Sequence, residues 1–246
     1  MEEGKIQWHP AFVAALKIEL MEDSDILSYL IEHPLNRKPM LVDTIVIKKE
    51  KHKQIRKNIG HIFREYNIFE YKAPGDSMNV NDFYKTYAYA CFYQADTTKT
   101  EEINPDEITI TLACTHYPRH LIEHLISVRG LTITKYAPGI YYAAGTPQLF
   151  PIQILVIPQL SPRDSYWMQK LRNDLKSGGE IRDLLEIYED KKNNDLYQAV
   201  MEVVVRANQK EMEVEKKMCQ ALKELFADEF EKCAEEARLR GHNQGI

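Results

Sequence analysis

The sequence contains no Cys-x-x-Cys pair, no long apolar run and no overall excess of basic residues. Its four cysteines, Cys91, Cys114, Cys219 and Cys233, are widely separated along 246 residues. That pattern argues against a disulfide framework or a zinc ribbon and fits a reducing compartment. The longest apolar runs, such as Ile154-Leu155-Val156-Ile157, fall far short of the ~20 residues a membrane-spanning helix requires, so no membrane association is expected. Met1-Glu2-Glu3-Gly4 is acidic and leads into no apolar stretch. No secretory signal is expected from it, and a cytoplasmic location follows as the expectation. There is no internal repeat and no low-complexity segment. A net charge of -5 does not by itself suggest a nucleic-acid partner.

What is present is an ordinary globular composition, 44% apolar and 28% charged, with the charge unevenly distributed. Arg37 to Arg64 carries nine lysines and arginines against two acids, Asp43 and Glu50. Gly178 to Arg240 carries sixteen acids against eleven bases. A local basic segment can bind phosphates on an acidic protein, although a charge run is more often a solvated face. Lys48, Lys49, Lys53 and Arg56, with Lys85 further along, are the candidate nucleic-acid contacts.

Apolar periodicity lays out the elements. Pro10 falls in the first turn of a helix whose face holds Phe12, Ala15, Leu16, Glu19 and Leu20. Asp25 to Glu32 reads as a strand, and Met40 to Ile47 as a second strand with Leu41, Asp43, Ile45 and Ile47 on one face. Lys48 to Tyr66 reads as a basic helix. Asn67 to Ala73 alternates as a strand, placing Ile68, Glu70 and Lys72 on one face and Phe69 and Tyr71 on the other. Asn79 or Asn81 caps an aromatic helix over Asp82 to Gln94, whose tyrosines suit packing better than base stacking. Strands follow at Glu107 to Cys114, Leu131 to Lys135, Gly139 to Ala144 and Ile152 to Ile157, with a helix from Pro118 to Arg129 stopped by Gly130. From Asp164 onward the pattern is helical, in segments to about Lys176, from Glu180 to Lys191 and from Leu196 to Ala237. The last carries an apolar stripe of Leu222, Leu225, Phe226, Phe230, Cys233 and Ala237, fit for packing on the core or for a homodimer.

The candidate chemistry comes from Asp43, Glu70 and Lys72. Phosphodiester hydrolysis needs charge neutralised at the phosphate and a water made nucleophilic, and a hard cation held by carboxylates does both. Asp43 and Glu70 on adjacent strands with same-face side chains, together with the backbone carbonyl of Tyr71, could hold such an ion. Lys72 could then orient or polarise the water and stabilise developing negative charge. Glu19 could assist a second ion or orient a metal-bound water. On spacing alone, Glu70 and Lys72 are equally an edge-strand ion pair of little energetic consequence. His116, His120 and His124 recur at four-residue intervals, but the order lacks the glutamate of a zinc-protease helix, so they read as surface or hydrogen-bonded histidines.

These pieces in this order resemble the PD-(D/E)XK nuclease superfamily: a helix with Glu19, a strand with Asp43, then Glu70-Tyr71-Lys72, a helix and a strand. Gln7-Trp8-His9-Pro10-Ala11-Phe12, Tyr66 to Lys72 and Asp82-Phe83-Tyr84-Lys85 are similar to the transposase-associated branch, related to the recombination-promoting nucleases. The resemblance implies an α/β fold with a restriction-endonuclease-like αβββαβ core and a mixed central sheet over 1–160, and a helical C-terminal extension over 161–246. It implies a Mg²⁺-dependent DNA endonuclease, with Mn²⁺ as a substitute ion, in which Asp43 and Glu70 bind the metal and Lys72 assists the water. The chain departs from the family pattern in two places. Val42 stands where a proline often precedes the first acid, and Lys85 stands, ahead of Tyr89, where some members carry a glutamine. The alternative is a nuclease fold without catalysis, kept as a nucleic-acid-binding or assembly protein.

Overall fold

The computed structural model describes residues 7–31, 44–145 and 150–218. Asp43 and the apolar stripe from Leu222 to Ala237 lie outside the described residues. In chain order the elements are α1 (Trp8–Glu19), β1 (Leu27–Ile31), β2 (Thr44–Lys49), β3 (Tyr66–Lys72), α2 (Val80–Ala95), β4 (Ile108–Cys114), α3 (Arg119–Ser127), β5 (Thr132–Ala137), β6 (Ile140–Ala144), β7 (Ile152–Val156), α4 (Tyr166–Gln169), α5 (Gly179–Glu189) and α6 (Asp195–Ala207). They fall into two compact units, Met1–Asn173 with Lys192–Ala207, and Asp174–Lys191 with Asn208–Ile246.

The first unit is built on a seven-stranded mixed sheet in the order β1-β2-β3-β4-β7-β6-β5. β1, β2 and β3 form an antiparallel meander. β3, β4 and β7 run parallel, and β6 and β5 complete the sheet antiparallel. A parallel neighbour needs a crossover, and α2 supplies it between β3 and β4. Every residue of β4 is buried, as expected of a central strand covered on both faces. The β5–β6 turn is fixed by Gly139, whose φ of +71° suits glycine and whose Cβ, if present, would meet backbone atoms of Val156, Gln159 and Leu160 within 2.8 Å.

Strand register separates two faces. On one, Val46, Ile68, Ile110, Leu112, Ile152 and Ile154 join Phe83, Ala90 and Tyr93 of α2 and Leu121 and Leu125 of α3 in a single apolar core. On the other, Phe12 of α1 stacks on Tyr71 with ring centroids 4.1 Å apart and planes 5° from parallel. The sheet together with α4 and α6 encloses α1, so nearly all of Ala11 to Glu19 is buried. That explains why its apolar residues spread beyond one stripe.

The basic helix expected over Lys48 to Tyr66 is not formed. β2 continues to Lys49, and the chain then crosses the sheet as an irregular segment with a short 3₁₀ turn at Asn58–Gly60. Buried polar side chains of the sheet satisfy its backbone. Asn67 Oδ1 accepts from Arg64 N at 2.8 Å, and Asn67 Nδ2 donates to Arg64 O at 2.7 Å and to Ile47 O at 3.1 Å. Thr109 Oγ1 donates to the same Asn67 oxygen at 2.7 Å. Gln153 Nε2 donates to Ile59 O at 3.0 Å and to Thr111 Oγ1 at 3.2 Å. Backbone groups met in this way need no helical ladder.

The helical reading beyond Asp164 is corrected in two places. Only α4 forms where a helix to Lys176 was expected, and a turn at residue 208 separates α6 from the helical stretch 209–218. Residues 161–173 and α6 belong to the first unit, with Trp167 packed edge-on to Tyr197 at 4.8 Å. Within the second unit, Glu215 is buried, accepts from Gly178 N at 2.7 Å and pairs with Arg182 at 3.0 Å, while Asn208 Oδ1 accepts from Leu175 N at 3.0 Å.

Candidate functional site

β3 alternates as the sequence predicts, so Tyr71 turns to the α1 face while Glu70 and Lys72 turn to the α2 face. Glu70 is registered with Thr44 of β2 and Leu112 of β4, and Lys72 with Cys114. Lys72 Nζ lies 3.3 Å from Glu70 Oε1 and 3.0 Å from Asp82 Oδ1. Both acids are nearly closed to solvent, Glu70 at 7% exposure and Asp82 at 4%. Burial pulls the Lys72 ammonium toward neutrality, but the hydrogen bond to Asp82 and the charge of Glu70 outweigh it and hold its pKa above the usual lysine value.

Asp82 is the residue that sequence reasoning missed. It is the third residue of α2 and forms a capping box with Asn79. Asn79 Oδ1 accepts from Asn81 N at 2.8 Å and from Asp82 N at 3.1 Å, and Asp82 Oδ2 accepts from Asn79 N at 3.1 Å. The second carboxylate oxygen is thereby aimed at Lys72. The signal was present as Asn79-x-x-Asp82, a helix start placed a short loop after Lys72.

Asp43, expected as a ligand, lies outside the described residues. Of the strand face assigned to it, the described members Ile45 and Ile47 are registered with Phe69 and Asn67, opposite the face of Glu70 and Lys72. Glu19 is not among the groups that meet Lys72. It is 3% exposed, its Oε1 accepts from Met168 N at 2.9 Å, and Lys57 Nζ approaches its Oε2 at 3.8 Å. It thus caps α4, whose first N–H groups have no acceptor of their own. Burial pushes its carboxyl up to about 7 against the opposing pull of the Met168 N–H and Lys57. Tyr71 keeps its backbone carbonyl between Glu70 and Lys72, while burial raises its phenol.

The basic segment is largely engaged within the chain. Lys49 is buried and donates to Glu50 O at 3.0 Å and Lys53 O at 2.7 Å, and burial lowers its pKa. Lys51 bridges Glu65 and Glu107 at 3.0 and 2.8 Å. Arg56 pairs with Glu22 at 3.1 Å and Asp23 at 3.5 Å. Lys53 is exposed, and so is Lys48, which lies over the Tyr66 ring at 5.8 Å. Lys85 is exposed on α2.

The three histidines turn to separate partners, His116 to Thr115, His120 to Glu123 and His124 to Tyr84. Among the described residues no group of three His, Cys, Asp or Glu is placed to hold a metal ion.

The chain matches no family model, no curated protein and no solved structure. Two buried carboxylates converge on one ammonium at the C-terminal ends of parallel strands, the end where open α/β sheets place ligands.

Proposed function

We propose that this protein is a Mg²⁺-dependent DNA endonuclease that hydrolyses phosphodiester bonds in transposition or recombination, built on a restriction-endonuclease-like core. One observation carries the proposal: Glu70 and Lys72, two residues apart on β3, share one face and meet within 3.3 Å beside a third charged side chain. The surrounding order supports it, with a helix, three antiparallel strands, a crossover helix and a parallel strand in sequence. That order is the one the family resemblance implies.

The donor chemistry fits a hard cation. Glu70 and Asp82 are carboxylates, and their oxygens already converge on a positive group. Glu70 would hold Mg²⁺ from this face, whereas the strand face to which the sequence assigns Asp43 is the opposite one. Such an ion supplies charge neutralisation at the phosphate and lowers the pKa of a bound water. Lys72 supplies a fixed positive charge. With its pKa held up by two acids it stays protonated at neutral pH, so it donates hydrogen bonds to developing phosphoryl oxygens and does not serve as a general base. Asp82 positions Lys72, because its other oxygen is committed to the α2 cap.

A second function is favoured by the same closure. Lys72 pairs with both Glu70 and Asp82 without any ion, as a structural triad in a non-catalytic nucleic-acid-binding protein would. Incubating supercoiled and linear DNA with the protein in Mg²⁺, Mn²⁺ or EDTA separates the two. Metal-dependent strand scission that Lys72→Ala abolishes supports the nuclease. Salt-dependent binding without scission in any metal supports the binding protein.

A further inference from the structure

The surface that would deliver a nucleic acid to Lys72 is not the basic segment. Lys48 and Lys49 lie at the Tyr66 end of the β2–β3 pair, whereas Thr44 faces Glu70. Four residues of strand separate Lys48 from Thr44, a distance of about 13 Å at the usual rise. Most cations of that segment are also engaged internally, Lys49 by carbonyls and Lys51, Arg56 and Lys57 by carboxylates.

At the Lys72 end, two exposed cations stand uncommitted. Lys85 follows Asp82 by three residues on α2, and Arg119 opens α3. Among the described residues neither makes an ion pair or a side-chain hydrogen bond. The chain brings both beside the site. Cys114 is registered with Lys72, and the chain leaves β4 there to reach Arg119 five residues later. Tyr84 OH and His124 Nε2, 3.0 Å apart, join α2 to α3, with their rings edge-on at 5.6 Å. Exposed Tyr84 and Tyr117 add aromatic faces beside these cations. Of the acids nearby, Asp82 and Glu70 pair with Lys72, exposed Glu123, the single acid of α3, lies 3.6 Å from His120, and exposed Asp76 lies on the loop before α2. A face with free cations and aromatic rings suits a phosphate backbone with stacked bases.

Resting on the proposed nuclease function, we infer that the nucleic-acid strand approaches Lys72 across the α2–α3 face, with phosphates seated on Lys85 and Arg119. The 48–57 segment then lies outside the contact.

The test is fluorescence anisotropy of a labelled DNA duplex and its single strand at several salt concentrations, with Ca²⁺ in place of Mg²⁺ to avoid cleavage. The wild-type chain is compared with Lys85→Ala/Arg119→Ala and with Lys48→Ala/Lys53→Ala, each checked for unchanged circular dichroism. Each lost phosphate contact flattens the log K against log salt slope by about 0.9 on duplex DNA, so the α2–α3 variant is expected to lose about 1.8 of slope while the other retains it. Loss of slope in the Lys48/Lys53 variant with none in the Lys85/Arg119 variant overturns the inference and leaves the nuclease function standing. A wild-type chain that binds neither DNA form overturns both.

Discussion

Asp82 holds the Lys72 ammonium at 3.0 Å with one carboxylate oxygen and caps α2 with the other. A helix terminus and a catalytic candidate are thus fixed by one side chain. The arrangement ties the conformation of the Lys72 side chain to the integrity of the α2 start.

Asp82→Asn is expected to lower the Lys72 pKa, because the hydrogen-bonded negative charge that raises it is gone. ¹³C-detected titration of the lysine side chain reads this directly. Since asparagine retains capping ability, the stability loss should stay near 1 kcal/mol in urea unfolding. Asp82→Ala removes both roles and should lose more. An unchanged Lys72 titration in Asp82→Asn would contradict the pairing.

Glu19 makes stability depend on pH. Its carboxyl sits at about 7 in the folded chain against an ordinary value of 4.5, chiefly through burial. The folded state therefore holds a proton that the unfolded state releases. This group's contribution is fully present below 4.5 and is lost as pH rises through about 7. The span amounts to about 3 kcal/mol as an upper figure, from roughly 1.4 kcal/mol per pKa unit. Urea unfolding at pH 5 and pH 8 should show the wild type losing more stability between them than Glu19→Gln. Equal losses would show that Glu19 does not carry the proton.

Asn67 makes four hydrogen bonds, two to Arg64 N and O that anchor the end of the 50–65 segment and two to Ile47 O and Thr109. Asn67→Ala leaves those groups buried and unmatched, so a loss of about 2–4 kcal/mol is expected. Limited proteolysis should then cut within 50–65 first. Resistance equal to wild type would mean that other contacts hold this segment.

These cases also show what was legible in the sequence. Tyr66 to Lys72 and Ile108 to Cys114 were readable because strand alternation is local and each residue's face follows from its parity. The face assignment of Glu70, Lys72 and Tyr71 followed from the same parity. The pattern from Lys48 to Tyr66 reads as a helix but does not form one, because its backbone partners, Asn67 and Gln153, are supplied by the sheet, the second from 94 residues beyond Ile59. Thr109 and Thr111, alternating through an otherwise apolar strand, were the trace of that polar face. Glu19 was placed correctly on the buried side of α1, but its partner Met168 lies 149 residues away, beyond any local pattern. Asp82 was hidden for a related reason, since a capping motif does not announce where its spare oxygen points.

The central claim is that Lys72 is a charged participant in phosphodiester cleavage, and single-turnover cleavage of labelled DNA with Mg²⁺ tests it most directly. Wild type, Lys72→Ala, Lys72→Arg and Glu70→Gln are compared, with melting curves to confirm that each variant is folded. The account expects wild-type cleavage that EDTA abolishes, a loss of at least a hundredfold in Lys72→Ala and Glu70→Gln, and partial recovery in Lys72→Arg, which keeps the charge. Metal-dependent cleavage that persists at the wild-type rate in folded Lys72→Ala would contradict it.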